Sequence, residues 1–492
     1  METINLLLSG FVNALTPLNL VWLFAGSTLG TVLGMLPGLG PTTGIALLMP
    51  LTFTMAPDTA LVTMCAIYYG AMFGGSRSSI LLNVPGDGAA VASCFDGYPM
   101  STSGHAEEAL AISAIASFIG GLIATVPVAR FALKFGPPEY FMLMCFALAA
   151  TAAISKEAML KGLLSMCLGL MIATVGIDPQ SGAIRFTFGV TALQTGIDFV
   201  VVIIGVYGLG EVFHNMDHIR SETAVKVQSK FGRIWVSMAQ FKRCWWPMIR
   251  QTPIGFIIGV LPGAGATIAA LMAYNNEKQL SKNPENFGKG EIVGLAAPEA
   301  ANNACSVGAL IPMMTLGVPG SGTTAVMLGA LMILGLQPGP LLFQQHADIA
   351  WTVIASMFLG NVVCAFINIP LASVLVRVLS VPTKILYPLI MAMALIGVYT
   401  INFSVVDFVL LVIFGLVGYF MKKYKVPTSP LILAVVVGVS MEQSFRQSMM
   451  LSDGDVSILF RSPICWVLFF LTIFSIIWPF ISEWRKKKKA AA

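Results

Sequence analysis

The sequence predicts an all-α membrane protein: a polytopic helical bundle of about 10–12 spans, built from two inverted-topology repeats with discontinuous helices and re-entrant hairpins. Three observations carry this. The 492 residues are 57% hydrophobic and only 10% charged, with a mean hydropathy of +0.84, whereas a soluble domain carries about 25% charge. So little charge cannot coat a water-soluble body of this size, which excludes a soluble enzyme, a nucleic-acid binder and a disordered chain. The chain is also written twice, and each copy has two Pro-Gly-x-Gly interruptions in or beside apolar runs.

Candidate spans lie at 18–36, 42–55, 59–75, 107–129, 139–154, 158–176, 197–214, 292–309 and 349–374, with a further helix at 464–482. Each is long enough, or nearly so, for the hydrocarbon layer of roughly 30 Å. Trp22, Trp245, Trp246, Trp466, Trp478 and Trp484 sit near the ends expected of these runs, as interface anchors do. Asn276 to Gly290 is polar and reads as an exposed loop. Met1 to Gly10 has neither a basic stretch nor a small-residue cleavage site, so no removable signal peptide is expected.

The duplication is read from matches in a fixed order. Gly34-Met-Leu-Pro37-Gly38-Leu-Gly40-Pro-Thr42 matches Gly259-Val-Leu-Pro262-Gly263-Ala-Gly265-Ala-Thr267 at an offset of 225. Asn83-Val-Pro85-Gly86-Asp-Gly88 matches Gly317-Val-Pro319-Gly320-Ser-Gly322 at 234, and Ile115-Ala-Ser117 matches Ile354-Ala-Ser356 at 239. Pro127, Pro138 and Pro179 pair with Pro370, Pro382 and Pro427. The offset grows in one direction, as small loop insertions make it. The units read as 1–215 for the first repeat, 216–250 for a basic cytoplasmic linker, 251–440 for the second repeat, and 441–492 for an extra helix with a basic tail.

Positive charge orients the copies. Lys156 and Lys161 mark a gap of the first copy that has no positive charge in the second, near Asn402 to Asp407, while Lys422, Lys423 and Lys425 mark the second copy where the first has Val175 to Pro179. With Arg377 and Lys384 inside, residues 441–461 fall outside and the last helix returns to Lys486 in the cytoplasm. Arg130 and Lys134 are the exceptions. The copies therefore read as inverted. The eight cysteines are scattered without a CxxC pair, so neither a disulfide framework nor a zinc site is expected.

The chemistry concentrates at the four breaks, Pro37, Pro85, Pro262 and Pro319. Proline removes a backbone donor and clashes with the preceding turn, while glycine admits conformations closed to other residues. Broken backbone at membrane depth is tolerated only where protein or a watery cavity satisfies it. N–H groups at a half-helix start favour an anion, and freed carbonyls can hold Na⁺. Five residues after each proline stand Thr42, Ala90, Thr267 and Thr324, and Thr43 and Thr323 add hydroxyls. These threonines either bind a ligand or satisfy their own helix.

Asn302 and Asn303, opposite Tyr68 and Tyr69 of the first copy, are adjacent amides in an apolar run that read as ligands or as interhelical glue. Ser76-Arg77-Ser78-Ser79 precedes the Pro85 break. Arg77 would clamp a carboxylate or snorkel to a headgroup, and its counterpart is Ile311. Glu299 and Asp87 are the nearest acids, placed to take a cation or proton or to lie in a solvated mouth. His214 and His218 read as a solvated pair. The spacing Gly38-Leu-Gly40-Pro-Thr-Thr-Gly44 is not a dinucleotide fingerprint, and no P-loop is present.

The first Gly-Met-Leu-Pro-Gly-Leu-Gly-Pro, the second Gly-Val-Leu-Pro-Gly-Ala-Gly, Ala297-Pro-Glu-Ala-Ala-Asn-Asn-Ala and Thr315-Leu-Gly-Val-Pro-Gly-Ser-Gly together resemble the TctA-type large membrane subunit of the tripartite tricarboxylate transporters. The resemblance covers nearly the whole chain, with Ala90 as the one asymmetry. It implies a multi-pass permease of the bacterial inner membrane, working with a small membrane subunit (TctB type) and a periplasmic substrate-binding protein (TctC type). Such a permease imports citrate-like carboxylates with Na⁺ or H⁺ as coupling ion and uses no other cofactor. On that reading Thr42, Thr43, Ser76, Arg77, Ser78, Thr267, Ser321, Thr323 and Thr324 bind substrate. Gly38, Gly40, Gly263, Gly265, Asn302 and Asn303 hold the ion, with no catalytic or metal residues. The alternatives are a cation-independent channel and an intramembrane enzyme, which would need paired acids or a metal cluster.

Overall fold

The structure is a computed structural model that describes residues 2–36, 40–83, 85–128, 137–153, 159–178, 182–218, 235–261, 265–370, 388, 391–392, 395, 398–399 and 404–490. Among these, strand is confined to a two-residue antiparallel pair, β1 (Gly176–Ile177) and β2 (Ile184–Arg185). Everything else regular is helix. The helices that position the site are α2 (Pro17–Met35), α3 (Pro41–Thr52), α4 (Pro57–Leu82), α5 (Val91–Thr102) and α6 (Ala106–Val128) in the first half. Their counterparts in the second half are α11 (Met238–Val260), α12 (Gly265–Leu280), α13 (Ile292–Leu316), α14 (Gly322–Ile333) and α16 (Ala347–Asn368).

Around them run α1 (Glu2–Ala14), α7 (Pro137–Ala153), α8 (Met159–Ala173), α9 (Phe199–Ile203), α10 (Gly210–His218) and α15 (Pro340–Gln345). The described C-terminal part adds α17 (Val405–Lys423), α18 (Ser429–Leu451) and α19 (Pro463–Ala490). Four helices among the described residues, α2, α6, α16 and α17, are long and apolar enough to cross a membrane. The all-α membrane class follows.

Small residues let these helices touch. A Cβ on Gly34 of α2 would collide with the Ala71 carbonyl of α4, and one on Gly259 of α11 would collide with the Cys305 carbonyl of α13. These are equivalent positions at the offsets of 225 and 234. Gly30 on Ile67 and Gly255 on Ala301 repeat the relation one turn earlier. The helix ends recur as well. Leu36 and Leu261 leave α2 and α11 in extended backbone, at φ −81° and −80°. Asn83 and Gly317 end α4 and α13 in the left-handed region, at φ 57° and 66°, which closes a helix by reversing the chain.

One expectation needs correction, and two helical stretches were not placed from the sequence. The segment 276–290 is not simply an exposed loop: α12 runs to Leu280, and Glu277 is buried where it accepts from Arg250 and Gln251 of α11. The rest of that segment docks on α5, because the N–H groups of Gly288 and Gly290, with that of Glu291, donate to Asp96. Within residues 441–461, expected on the outside, helix continues to Leu451, since α18 runs on through residue 440. Its polar residues favour helix there: Glu442 and Arg446 pair one turn apart, and Arg446 also pairs with Asp178 beside the β1–β2 hairpin. Finally, α1 was not foreseen as a helix; Asn13 near its end donates to Asp58 and Thr352. Arg130, Lys134, Lys156, Arg377, Lys384, Asn402 and Pro179, used to orient the copies, lie outside the described residues, as do residues 219–234 of the basic segment.

Candidate functional site

Helices stop and restart at all four predicted breaks. In the first half α2 gives way to α3 across 36–40, and α4 gives way to a single 3₁₀ turn, Gly88–Ala90, and α5. In the second half α11 is followed by α12, and α13 by α14. Pro37, Gly38, Pro262 and Gly263 lie outside the described residues.

The second break of each half caps the turn that follows it from an equivalent position. Ser321 accepts from the N–H of Thr324 at 3.2 Å while Thr324 Oγ1 accepts from the Ser321 N–H at 2.8 Å, a reciprocal cap. Asp87, the equivalent of Ser321, accepts from the N–H of Ala90 at 3.2 Å. Thr324 is thus engaged by its own helix. The Ala90 half makes only the forward bond of that cap, to a carboxylate in place of a hydroxyl, because alanine has no oxygen to return the second.

The breaks meet crosswise. Thr42, at the first break of the first half, lies 2.8 Å from Thr323, at the second break of the second half, hydroxyl to hydroxyl. The converse pair is Thr267 and the 3₁₀ turn, where a Cβ on Gly88 would sit 2.5 Å from Thr267 Oγ1. Thr42, Thr267, Ser321 and Gly40 are half-buried and Gly88 is exposed, so a ligand can reach this junction, whereas Thr43, Thr323 and Thr324 are buried. A Cβ on Gly40 would lie 2.7 Å from Asp87 Cβ, which brings the two breaks of the first half together. Gly265 has φ +69°, a conformation that favours glycine, as α12 begins.

The long helices supply the floor. Asn302 Nδ2 donates to the Ala89 carbonyl at 3.4 Å, and Asn303 Nδ2 donates to Asn302 Oδ1 at 2.6 Å and the Glu299 carbonyl at 3.0 Å. Asn303 Oδ1 is buried with no donor among the described residues. Tyr68, the equivalent of Asn302, reaches Ser321 with its hydroxyl.

Ser76 and Arg77 point elsewhere. Ser76 donates to Glu299 at 2.8 Å, and Ser78 donates to the Gly75 carbonyl. Arg77 is 1% exposed, so it does not snorkel; it donates to the carbonyls of Leu110 and Asn368 and to Ser113, at 3.4, 2.8 and 3.5 Å. Glu299 is fully buried and not in a solvated mouth.

Sequence reasoning missed Tyr207. It sits in a π-helical turn, Ile204–Leu209, between α9 and α10, an irregularity often found at functional sites. Its carbonyl accepts from Thr43 at 3.4 Å and its hydroxyl donates to Ser429 at 3.4 Å. The paired glycines of Gly205-Val-Tyr-Gly208 were the available signal. Among the described residues no group of three or more His, Cys, Asp or Glu could hold a metal ion.

The family described as the tripartite tricarboxylate transporter TctA family matches residues 20–433. The chain belongs to the TctA family. It is the large membrane subunit of a tripartite tricarboxylate transporter. An uncharacterized 52.8 kDa protein of Agrobacterium vitis, from the TAR-I ttuC' 3' region, is 40% identical over 496 residues, covering 99% of this chain and 98% of the relative. A second uncharacterized protein of the same organism, from the TAR-II ttuC' 3' region, is 36% identical over 234 residues, 48% of this chain and 97% of the relative. No solved structure matches.

Proposed function

We propose that this TctA-family subunit imports citrate-like tricarboxylates by cation-coupled alternating access. It would act in the bacterial inner membrane with its C-terminus cytoplasmic, beside a small TctB-type membrane subunit, and receive substrate from a periplasmic TctC-type binding protein. The observation that carries the reading is the crosswise meeting of the four breaks, Thr42 with Thr323 and Thr267 with Gly88. Two inverted halves that interlock through unpaired helix ends build one central site with access to either side.

At that site the N–H groups of the α3, α12 and α14 starts face substrate carboxylates, with hydroxyls from Thr42, Thr267 and Ser321, while the buried Thr43, Thr323 and Thr324 hold the breaks in shape through Tyr207, Thr42 and Ser321. Ser76, Ser78 and Arg77 stand behind the Asp87 break in this structure, so their part is to support the first half. Carbonyls around Gly38, Gly40, Gly263 and Gly265 accept the cation, with Asn302 and with Asn303, whose Oδ1 has no donor among the described residues. A multivalent anion in low dielectric needs compensating charge, which a cotransported Na⁺ or proton supplies.

The test is uptake of labelled citrate into proteoliposomes that hold this subunit and its small partner, with binding protein added, under imposed Na⁺ or pH gradients. Accumulation driven by one of the two gradients is expected. Gly40→Val and Gly265→Val should abolish it while the protein still inserts, since the first collides with Asp87 and the second strains φ +69°. Equilibration that ignores both gradients would make the protein a channel, and normal uptake by both variants would remove the breaks from the mechanism.

A further inference from the structure

One carboxylate in the middle of the bundle is left over from the central site. Glu299 of α13 is caged by hydroxyls from three other helices: Ser76 of α4 at 2.8 Å and Ser117 of α6 at 3.0 Å donate to Oε2, and Ser93 of α5 donates to Oε1. All four side chains are buried. Arg77 follows Ser76 in α4 and is equally buried, yet its hydrogen bonds go to carbonyls and to Ser113. It feels Glu299 only through the intervening medium.

The cage is tied to the Asp87 break. Ser93 stands three residues after Ala90, and Ser79 of α4 donates to the Ala90 carbonyl at 2.9 Å. The other ionisable groups near Glu299 are Asp87 in the break and Cys94 on α5. On α11, Arg243 and Arg250 are engaged with Glu291 and Glu277, and α6 faces the cage with Ser113 and Ser117.

We propose that Glu299 is a proton-binding site that latches α5 and the Asp87 break to the rest of the bundle. Ionised, it accepts from all three serines, holds α5 down through Ser93 and balances Arg77. A carboxylic acid carries its own donor, so on protonation one serine contact must be given up or reversed. The buried charge of Arg77 then stands uncompensated, which favours an anion at the adjoining break. Buried carboxylates at membrane depth are costly, and proton relays are a main reason for keeping one. The serines touch the carboxylate directly, leaving no gap for a hydrated metal cation, whereas a proton needs none. Only the link to an anion rests on the transport reading; the proton site stands without it.

Infrared difference spectra of the full chain in lipid nanodiscs, between about pH 5 and about pH 9, read the carbonyl stretch of a protonated carboxylic acid directly. The wild type should show a titrating band that Glu299→Gln removes and Asp87→Asn leaves. Ser117→Ala takes one donor from the ionised form and should move the half-point up by about one pH unit, roughly tenfold in proton affinity. Should Glu299→Gln fail to fold, that shift is the deciding result. The proposal is overturned by a wild type with no such band, by a band that persists in Glu299→Gln, by an unmoved half-point in Ser117→Ala, or by a carboxylate signal that answers to Na⁺ at constant pH. Citrate exchange in proteoliposomes is measured in parallel and should lose its pH dependence in Glu299→Gln. A band that behaves as expected beside exchange indifferent to pH would keep the proton site and count against coupled transport.

Discussion

The Asp87 break and the Ser321 break share one backbone and differ in their chemistry. Both follow a long helix closed by a left-handed residue, Asn83 or Gly317, and both cap the next turn from the equivalent position. Around the first stand Asp87, Arg77, Glu299 and Ser93; the equivalent positions around the second are Ser321, Ile311, Cys65 and Met327. The two breaks teach that backbone shape recurs at equivalent positions, while the ionisable side chains sit on one flank. A ligand held by N–H groups would be gripped from both halves alike, whereas a response to protons would arise on the Asp87 flank only, where Glu299 of the second half meets Ser76, Ser93 and Ser117 of the first.

Several substitutions test this contrast, and the largest effect should fall equally on both halves. Gly34→Leu and Gly259→Leu each drive a side chain into a neighbouring carbonyl and should lower unfolding stability in detergent by about 3 kcal/mol. Tolerance of one but not the other would break the structural equivalence. Next comes the asymmetry itself. Arg77→Met leaves Glu299 without its buried counter-charge and should cost about 3 kcal/mol, part of which Arg77→Met/Glu299→Gln recovers, while Ile311→Met should cost under about 1 kcal/mol. Similar losses at Arg77 and Ile311 would show that charge balance is not what distinguishes the halves.

Smaller effects sharpen the comparison. Asp87→Ala and Ser321→Ala should each cost about 1 kcal/mol in thermal unfolding through the lost cap, and Asp87→Ser should restore it. At the junction, Thr42→Val and Thr323→Val remove one shared hydrogen bond of 2.8 Å. Each should change stability by about 1 kcal/mol or less, and the double substitution should add little to either. Citrate uptake should nevertheless fall by roughly tenfold, the loss of about one hydrogen bond to a charged group.

Much of this architecture was legible because its signals are local. Pro-Gly-x-Gly disturbs the backbone where it stands, so the ends of α2, α4, α11 and α13 could be placed from sequence, and apolar runs such as 107–129 and 139–154 correspond closely to α6 and α7. What escaped depends on distant partners. The helix over the polar stretch after Met441 was not placed, because Arg446 there pairs with Asp178, some 268 positions away in the chain. Ser93 was not singled out, and Ser117 only as part of a repeat match, because a serine or threonine in an apolar helix commonly bonds its own preceding turn, as Thr63 does with the Thr59 carbonyl at 2.7 Å. Nor could spacing reveal that Thr42 would face Thr323 and not its own copy, Thr267.

That crosswise meeting has a consequence for how the polypeptide can be divided. Severed between α10 and α11, neither fragment would own a finished junction, since Thr42 and the Gly88 turn of one are met by Thr323 and Thr267 of the other. The fragments, made from separate messages in one cell, should therefore seek each other out and reassemble. The gene is divisible there, but the working unit is not.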